Sequence, residues 1–241
     1  MSQSAETIDV SPEELATMAS NLAHFILIQE RTRVGVKRAD IVEKILQGNA
    51  RLLRNVLDEA SRMLEDSVGY RIQEVPGKRV YILGNTVDLG GLEQHLVPDE
   101  RWEAVRGLLC VILSLILMNN AESIQETDLW DLLGQINIER DDKQNPAFGD
   151  IEKLIKGTLV KQHYLDYAKK RDGSGEFSWG CRAHQEFKPM TLLKFVADIY
   201  GGGTSPSDFT VVYKRISEQE AQHPLTDDAT VSGAEDASMS G

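Results

Sequence analysis

Residues 70–83, YRIQEVPGKRVYIL, alternate apolar and polar side chains with period two on both sides of a Pro-Gly-Lys turn, the pattern of a β-hairpin. What precedes the hairpin narrows the fold. Ser-Pro-Glu-Glu at Ser11 supplies an N-cap, a proline suited to the first helical position and acids for the first turn. Leu15, Met18, Leu22, Phe25 and Ile26 then recur at helical spacing to about Glu30. The segment VGV at 34–36 interrupts that helix as a short strand. KRADIVEKIL reads as a second helix with Ile41, Ile45 and Leu46 on one face, ended by Gly48. NARLLRNVLDEASRMLEDSVG reads as a third, with Leu53, Val56, Leu57, Ala60, Met63 and Leu64 inward and Gly69 as its stop. Helix, short strand, helix, helix, hairpin is the order of a winged helix-turn-helix.

The same order returns further along. After a turn-rich stretch, GNTVDLGGLEQHLVPDER, a long apolar helix (about 102–118) precedes NNAESI and two helices, QETDLWDLLGQI and GDIEKLIKGTLV. Two strand candidates, QHYLDYAK and FSWGCRA, flank the turn KRDGSGE, and a last helix, HQEFKPMTLLKFVADIY, closes the body before Gly-Gly-Gly. The expected fold class is mainly α with small β wings (α+β), built as tandem winged-helix modules. The expected division is a flexible N-terminus at 1–11, a first module at 12–84, a linker at 85–101, a second module at 102–216 and a disordered acidic tail at 217–241. Tyr164, Tyr167, Phe177 and Trp179 fall at strand spacing about the second turn, where they pack that wing onto its helices.

The apolar run GLLCVILSLILM, 107–118, is shorter than the roughly 20 residues a membrane helix needs and reads as the central helix of a soluble core. No signal peptide is expected, and two cysteines are too few for a disulfide framework. The net charge of −12 sits mostly at the ends: residues 1–14 carry four acids and no base, and 217–241 carry six and none. Between them, 15–84 and 161–216 are each +3 and 85–150 is −9, so the body is electrically segmented.

Catalytic chemistry is not apparent. Gly-Gly-Gly at 201–203 lacks the Gly-Lys-Ser/Thr of a phosphate loop, and Cys181 and His184 have ligand-like spacing without a second pair. Asp128 and Asp131 suit a helix start, and the five histidines form no nucleophile or metalloprotease pattern. No enzyme activity, metal, cofactor, membrane or small-molecule substrate is expected.

Five blocks carry a resemblance. LAHFILIQERTRVGVKRADIVEKIL, then SVGYRIQEV with RVYIL, then GLLCVILSLILMNNAESIQETDLWDLL, then FGDIEKLIKGTLVKQHYLDY, then FSWGCRAHQE with LLKFV, resemble in order and spacing the melanoma-antigen (MAGE) homology domain over about residues 12–216. The chain looks most like the ancestral member of that family, a subunit of the structural-maintenance-of-chromosomes complex used in DNA repair. The resemblance implies a non-enzymatic scaffold, a cofactor of a ubiquitin ligase. One surface would bind a RING-type ubiquitin ligase, another a helix of a kleisin subunit, and basic surface would contact DNA. It also implies a chromosome-associated protein of the nucleus, with the cytoplasm as the other compartment. The other readings are a MAGE-type regulator of a cytosolic ubiquitin ligase and a tandem winged-helix transcription regulator.

The family's RING contact uses a dileucine on the first helix, matched here by Ile26 and Leu27. Exchanging leucine for isoleucine conserves volume and should cost under about 1.5 kcal/mol. Adjacent residues are 100° apart on a helix, so one of the two faces inward and the other is left for a partner. For the kleisin helix the candidates are Trp130, Leu133, Leu159 and Leu193, for which core packing is the competing explanation. For DNA they are Lys169, Lys170 and Arg171 at the wing tip, with Lys188 and Lys194 on the last helix, meeting backbone phosphate without reading bases. A rival basic surface, Arg31, Arg33, Lys37, Arg38, Lys44, Arg51 and Arg54, lies in the first module. Cys181 stands where the family usually has proline.

Overall fold

The computed structural model describes residues 10–86, 100–119 and 122–222. Helix α1 (Pro12–Glu30) starts in a capping box: Ser11 Oγ accepts from the Glu14 amide at 3.2 Å, and the Glu14 carboxylate accepts from the Ser11 amide at 3.1 Å. That arrangement satisfies two amides no helix turn can reach. Strand β1 (Val36–Lys37), helix α2 (Arg38–Lys44), a 3-10 turn (Ala50–Leu52) and helix α3 (Leu53–Val68) follow. Gly69, left-handed at φ 68°, ends α3 and turns the chain into β2 (Tyr70–Val75) and β3 (Val80–Asn85). The three strands form an antiparallel sheet in the order β1-β3-β2, with Val75 opposite Val80 at the hairpin end. Leu22, Ile26, Ile41, Val56, Ala60, Leu64 and Leu83 fill the space between helices and sheet.

The second set of elements repeats this order. Helix α4 (Glu100–Met118) is central, as its apolar run requires, and buries Leu109, Ile112, Leu113 and Ile116 completely. No helix among the described residues is long and apolar enough to cross a membrane. Strand β4 (Ser123–Gln125), helix α5 (Glu126–Gly134), a π-helical segment (Lys153–Leu159), β5 (Leu165–Lys169) and β6 (Gly175–Trp179) follow, with sheet order β4-β6-β5. Phe177 and Trp179 point into this core, where the Trp179 indole donates to the Leu113 carbonyl at 3.0 Å. The chain is therefore mainly α with two small antiparallel wings, in tandem winged-helix order.

Three expectations need correction. The last predicted helix is two, α6 (Cys181–Glu186) and α7 (Pro189–Tyr200), because a proline lacks the amide to continue a helix and Phe187 before Lys188 is extended. Residues 181–183, expected at the end of a strand, already belong to α6. A further helix, α8 (Thr210–Gln222), runs six residues into the stretch expected to be disordered. Val212 and Ile216, one turn apart, bury against the second core, and Arg215 donates to the Leu117 carbonyl in the last turn of α4 and to the Asn119 carbonyl just beyond it at 3.2 Å. Between α7 and α8, Gly201, Gly202 and Gly203 all take positive φ and form a defined turn. Residues 87–99 of the expected linker, and the tail from 223 onward, lie outside the described residues.

Candidate protein-interaction surfaces and the joint between the modules

A heavily bonded polar cluster among the described residues joins the two halves of the chain. Arg182, on α6, is 1% exposed. Its guanidinium grips the Glu30 carboxylate at the end of α1 with both terminal nitrogens, at 2.7 and 3.2 Å. The same side chain donates to the Gln162 carbonyl at 3.1 Å and the Arg33 carbonyl at 3.3 Å. A planar fork against a carboxylate is the strongest arrangement such a pair can adopt. Burial opposes the Arg182 charge, but the Glu30 hydrogen bonds and then its charge outweigh it and hold the group above its usual range.

Arg33 continues the cluster. It sits left-handed at φ 55°, lies 4.1 Å over the Trp102 ring and donates to the Tyr164 hydroxyl at 2.7 Å. That hydroxyl donates to Glu186 at 2.7 Å. Burial, reinforced by Glu186 and opposed by Arg33, raises the Tyr164 phenol far above its ordinary value, so it stays protonated as a donor. Tyr164, expected in the second wing, precedes β5 and belongs to this joint. The Gln162 amide donates to the Thr32 carbonyl at 3.0 Å, and Gln185 bonds Gln73 of the first wing. Lys78 at the tip of that wing pairs with Asp166.

Two glycines permit this approach. A Cβ on Gly84 would stand 2.9 Å from the Gln185 side-chain oxygen Oε1, and one on Gly180 would stand 2.2 Å from the His163 backbone oxygen. His163 is buried beside them at φ 62°, its Nδ1 without a partner among the described residues. Burial, then the nearby Lys78 charge, lowers its pKa, so it sits neutral in the joint.

The residues singled out from sequence are placed as follows. Ile26 is 1% exposed and belongs to the first core, Leu27 is half-buried, and Ile28 is 55% exposed. The surface at the end of α1 is thus made by Leu27 and Ile28. Trp130 is 9% exposed and Leu133, Leu159 and Leu193 are 0%, all within the second core. As the fold stands they line no open groove, because apolar periodicity selects the face a helix turns inward. Among the described residues of this half, the most exposed large apolar side chains are on α7 and α8, Ile199 at 65%, Tyr200 at 70% and Val211 at 65%, with Phe195 beside them and Leu132 and Ile136 exposed separately at the end of α5. Tyr200 meets Phe209 edge to face at 5.4 Å, which ties the end of α7 to the start of α8.

Lys169, Lys170 and Arg171 are exposed at the β5-β6 turn, where Lys170 pairs with Glu176 at 3.1 Å. Lys188 caps α7 and Lys194 lies on its outer face, both exposed. In the rival basic set, Arg33 is committed to the joint. Cys181 begins α6, half-buried, with its thiol raised chiefly by burial and 3.7 Å from the Gln185 amide. Among the described residues no three metal-ligating side chains gather.

Comparison with known proteins identifies the arrangement. The MAGE homology domain matches residues 22–190. The chain is 31% identical over 215 residues to the human non-structural maintenance of chromosomes element 3 homolog, covering 87% of this chain and 69% of that protein. It is 28% identical over 216 residues to human melanoma-associated antigen D2, of which it spans 35%. Among solved structures, a chain of an Nse1-Nse3-Nse4 complex superposes with a TM-score of 0.74 at 30% identity, over 86% of this chain and all of that one. With tandem wings and a match across most of its length, the chain belongs to the MAGE homology domain family.

Proposed function

We propose that this protein is a non-enzymatic scaffold which binds a RING-type ubiquitin ligase and a helix of a kleisin subunit within a chromosome-maintenance complex of the DNA-repair type, acting in the nucleus as a cofactor of the ligase. The observation that carries the reading is the likeness, over 86% of the chain, to a protein solved within the Nse1-Nse3-Nse4 complex. The surfaces fit such a role. Leu27 and Ile28 present apolar side chains at the end of α1, and Phe195, Ile199, Tyr200 and Val211 do so on α7 and α8. An amphipathic partner helix needs such a face for its own apolar stripe. The modules would span 12–84 and 102–216, with α8 as an extension of the second.

Backbone contact with DNA through Lys169, Lys170, Arg171, Lys188 and Lys194 is part of the proposal. Reversing those charges should flatten the salt dependence of binding to a DNA duplex, and an unchanged slope would exclude the patch. The partner sites are tested by co-expression with a RING subunit and a kleisin. Ile28→Asp should lose the RING subunit alone, and Ile199→Asp with Tyr200→Asp should lose the kleisin alone, both at an unchanged melting temperature. Retention of both partners by both variants would remove the assignment. Alanine at Ile26 is a poor probe, since emptying a buried isoleucine costs about 2–5 kcal/mol of stability by itself. The near-equal identity to melanoma-associated antigen D2 favours a second reading, a regulator of a cytosolic ligase. Co-purification from nuclear extract separates the two.

A further inference from the structure

The first module carries a cleft, about 560 Å³, between α3 and the β2-β3 hairpin. Arg38, Arg51, Arg54 and Arg71 line it, against the carboxylates of Asp58 and Glu74. Arg38 and Arg51 make no ion pair among the described residues, while Arg54 meets Asp58 only at 4.0 Å with both side chains open to water. Arg71 is bound to Glu65. Beneath the arginines the wall is apolar: Leu53, Leu57, Ile72 and the ring of Tyr81.

We propose that this cleft is a docking site for an acidic peptide segment of a partner protein, one that sets carboxylates against the arginines and an apolar side chain between α3 and the sheet. The site is separate from the three surfaces proposed above and does not depend on them. Charge complementarity sets the occupant. Unpaired guanidinium forks suit carboxylates bidentately, and an apolar wall gives a peptide side chain an anchor that a phosphodiester backbone lacks. Nucleic acid is disfavoured by α3 itself. The helix a winged module would lay in the major groove bears Asp58, Glu59, Glu65 and Asp66 against Arg54 and Arg62, so its own charge repels phosphate.

The test uses the full chain and a short fluorescein-labelled peptide of repeated Asp-Glu-Leu, followed by fluorescence anisotropy. A polyglutamate peptide of equal length and a DNA duplex are compared with it. Arg51 and Arg54 are exposed, so Arg51→Glu with Arg54→Glu should melt with the parent and lose the Asp-Glu-Leu peptide by at least about tenfold. Arg51→Lys with Arg54→Lys keeps the charge without the fork and should lose an intermediate amount, which keeps the test sound if the reversal misfolds. Polyglutamate should bind more weakly than the leucine-bearing peptide. Equal binding of parent and reversal variants, no binding by the parent, or equal affinity for polyglutamate would overturn the proposal. A reversal that costs DNA affinity but spares the peptide would make the cleft a nucleic-acid surface instead. A chain ending at Gln222 should bind the peptide as the parent does. Binding about tenfold tighter would mean that the chain's own tail is the occupant, and would overturn assignment to a partner.

Discussion

Replacing Arg182 by alanine should do more damage than removing any other charged side chain. The substitution deletes a buried guanidinium that holds Glu30 through two bonds and the carbonyls of Gln162 and Arg33 through one each. Breaking a buried ion pair costs about 3–5 kcal/mol, chiefly because the surviving partners are left without a donor. Glu30 keeps some contact with water, its side chain 25% exposed, which places the expected loss toward the lower end. For a chain of this size each kcal/mol shifts Tm by about 2–4 °C, so about 3 kcal/mol corresponds to roughly 6–12 °C. Each half keeps its own apolar core, so calorimetry should also show the single transition broaden or split as the halves uncouple. Arg182→Lys retains charge but not the fork and should fall between. A double-mutant cycle with Glu30→Ala should return a coupling above about 1.5 kcal/mol. An Arg182→Ala variant melting within about 2 °C of the parent, or a coupling near zero, would refute the reasoning.

Other consequences follow from the same geometry. Gly180→Ala drives a methyl into the His163 backbone oxygen, whereas Gly84→Ala meets the movable Gln185 amide, so the first should lower Tm clearly more than the second in thermal melts. His163 has a lowered pKa in the fold, so as pH falls below its ordinary value of about 6.5 the unfolded chain takes up a proton that the folded one refuses. Stability should therefore decline as pH falls through that value toward the lower folded one. His163→Asn, which tolerates the left-handed backbone, should reduce the slope in urea titrations at several pH values; an unchanged slope would remove His163 as its source. Leu193→Ala should cost about 2–5 kcal/mol in the isolated protein, with no partner present, because it opens a cavity in the second core. Ser11→Ala should cost about 1 kcal/mol through loss of the α1 cap.

The first module was legible because its signals agree. The Ser11 cap, the Gly69 stop and the period-two hairpin each mark a boundary that apolar spacing marks again. Where the signals compete, the reading slipped. Apolar spacing runs on through Phe187 and Met190 and hid the break that Pro189 makes. In α8 only Val212 and Ile216 are buried, too few to reveal a helix by period. The joint was not legible at all. Glu30 and Arg182 are 152 residues apart, and no local pattern marks an arginine for burial. The kleisin candidates show the reverse bias. Period-based reasoning finds residues such as Leu133 and Leu159 that a helix turns inward, whereas a partner can reach only those it turns outward, and Ile199 and Tyr200 are among these. Family likeness pointed to Ile26 and Leu27; Ile26 is buried in the first core, so the proposed contact rests on Leu27 and the neighbouring exposed Ile28.

The central claim is that one chain holds two different proteins at once. Native mass spectrometry of the purified chain mixed with a RING subunit and a kleisin tests it directly. The account predicts a single ternary species with one copy of each, and binary species when either partner is omitted. Mutually exclusive binary complexes, or a chain that stays alone in the presence of both, would contradict it.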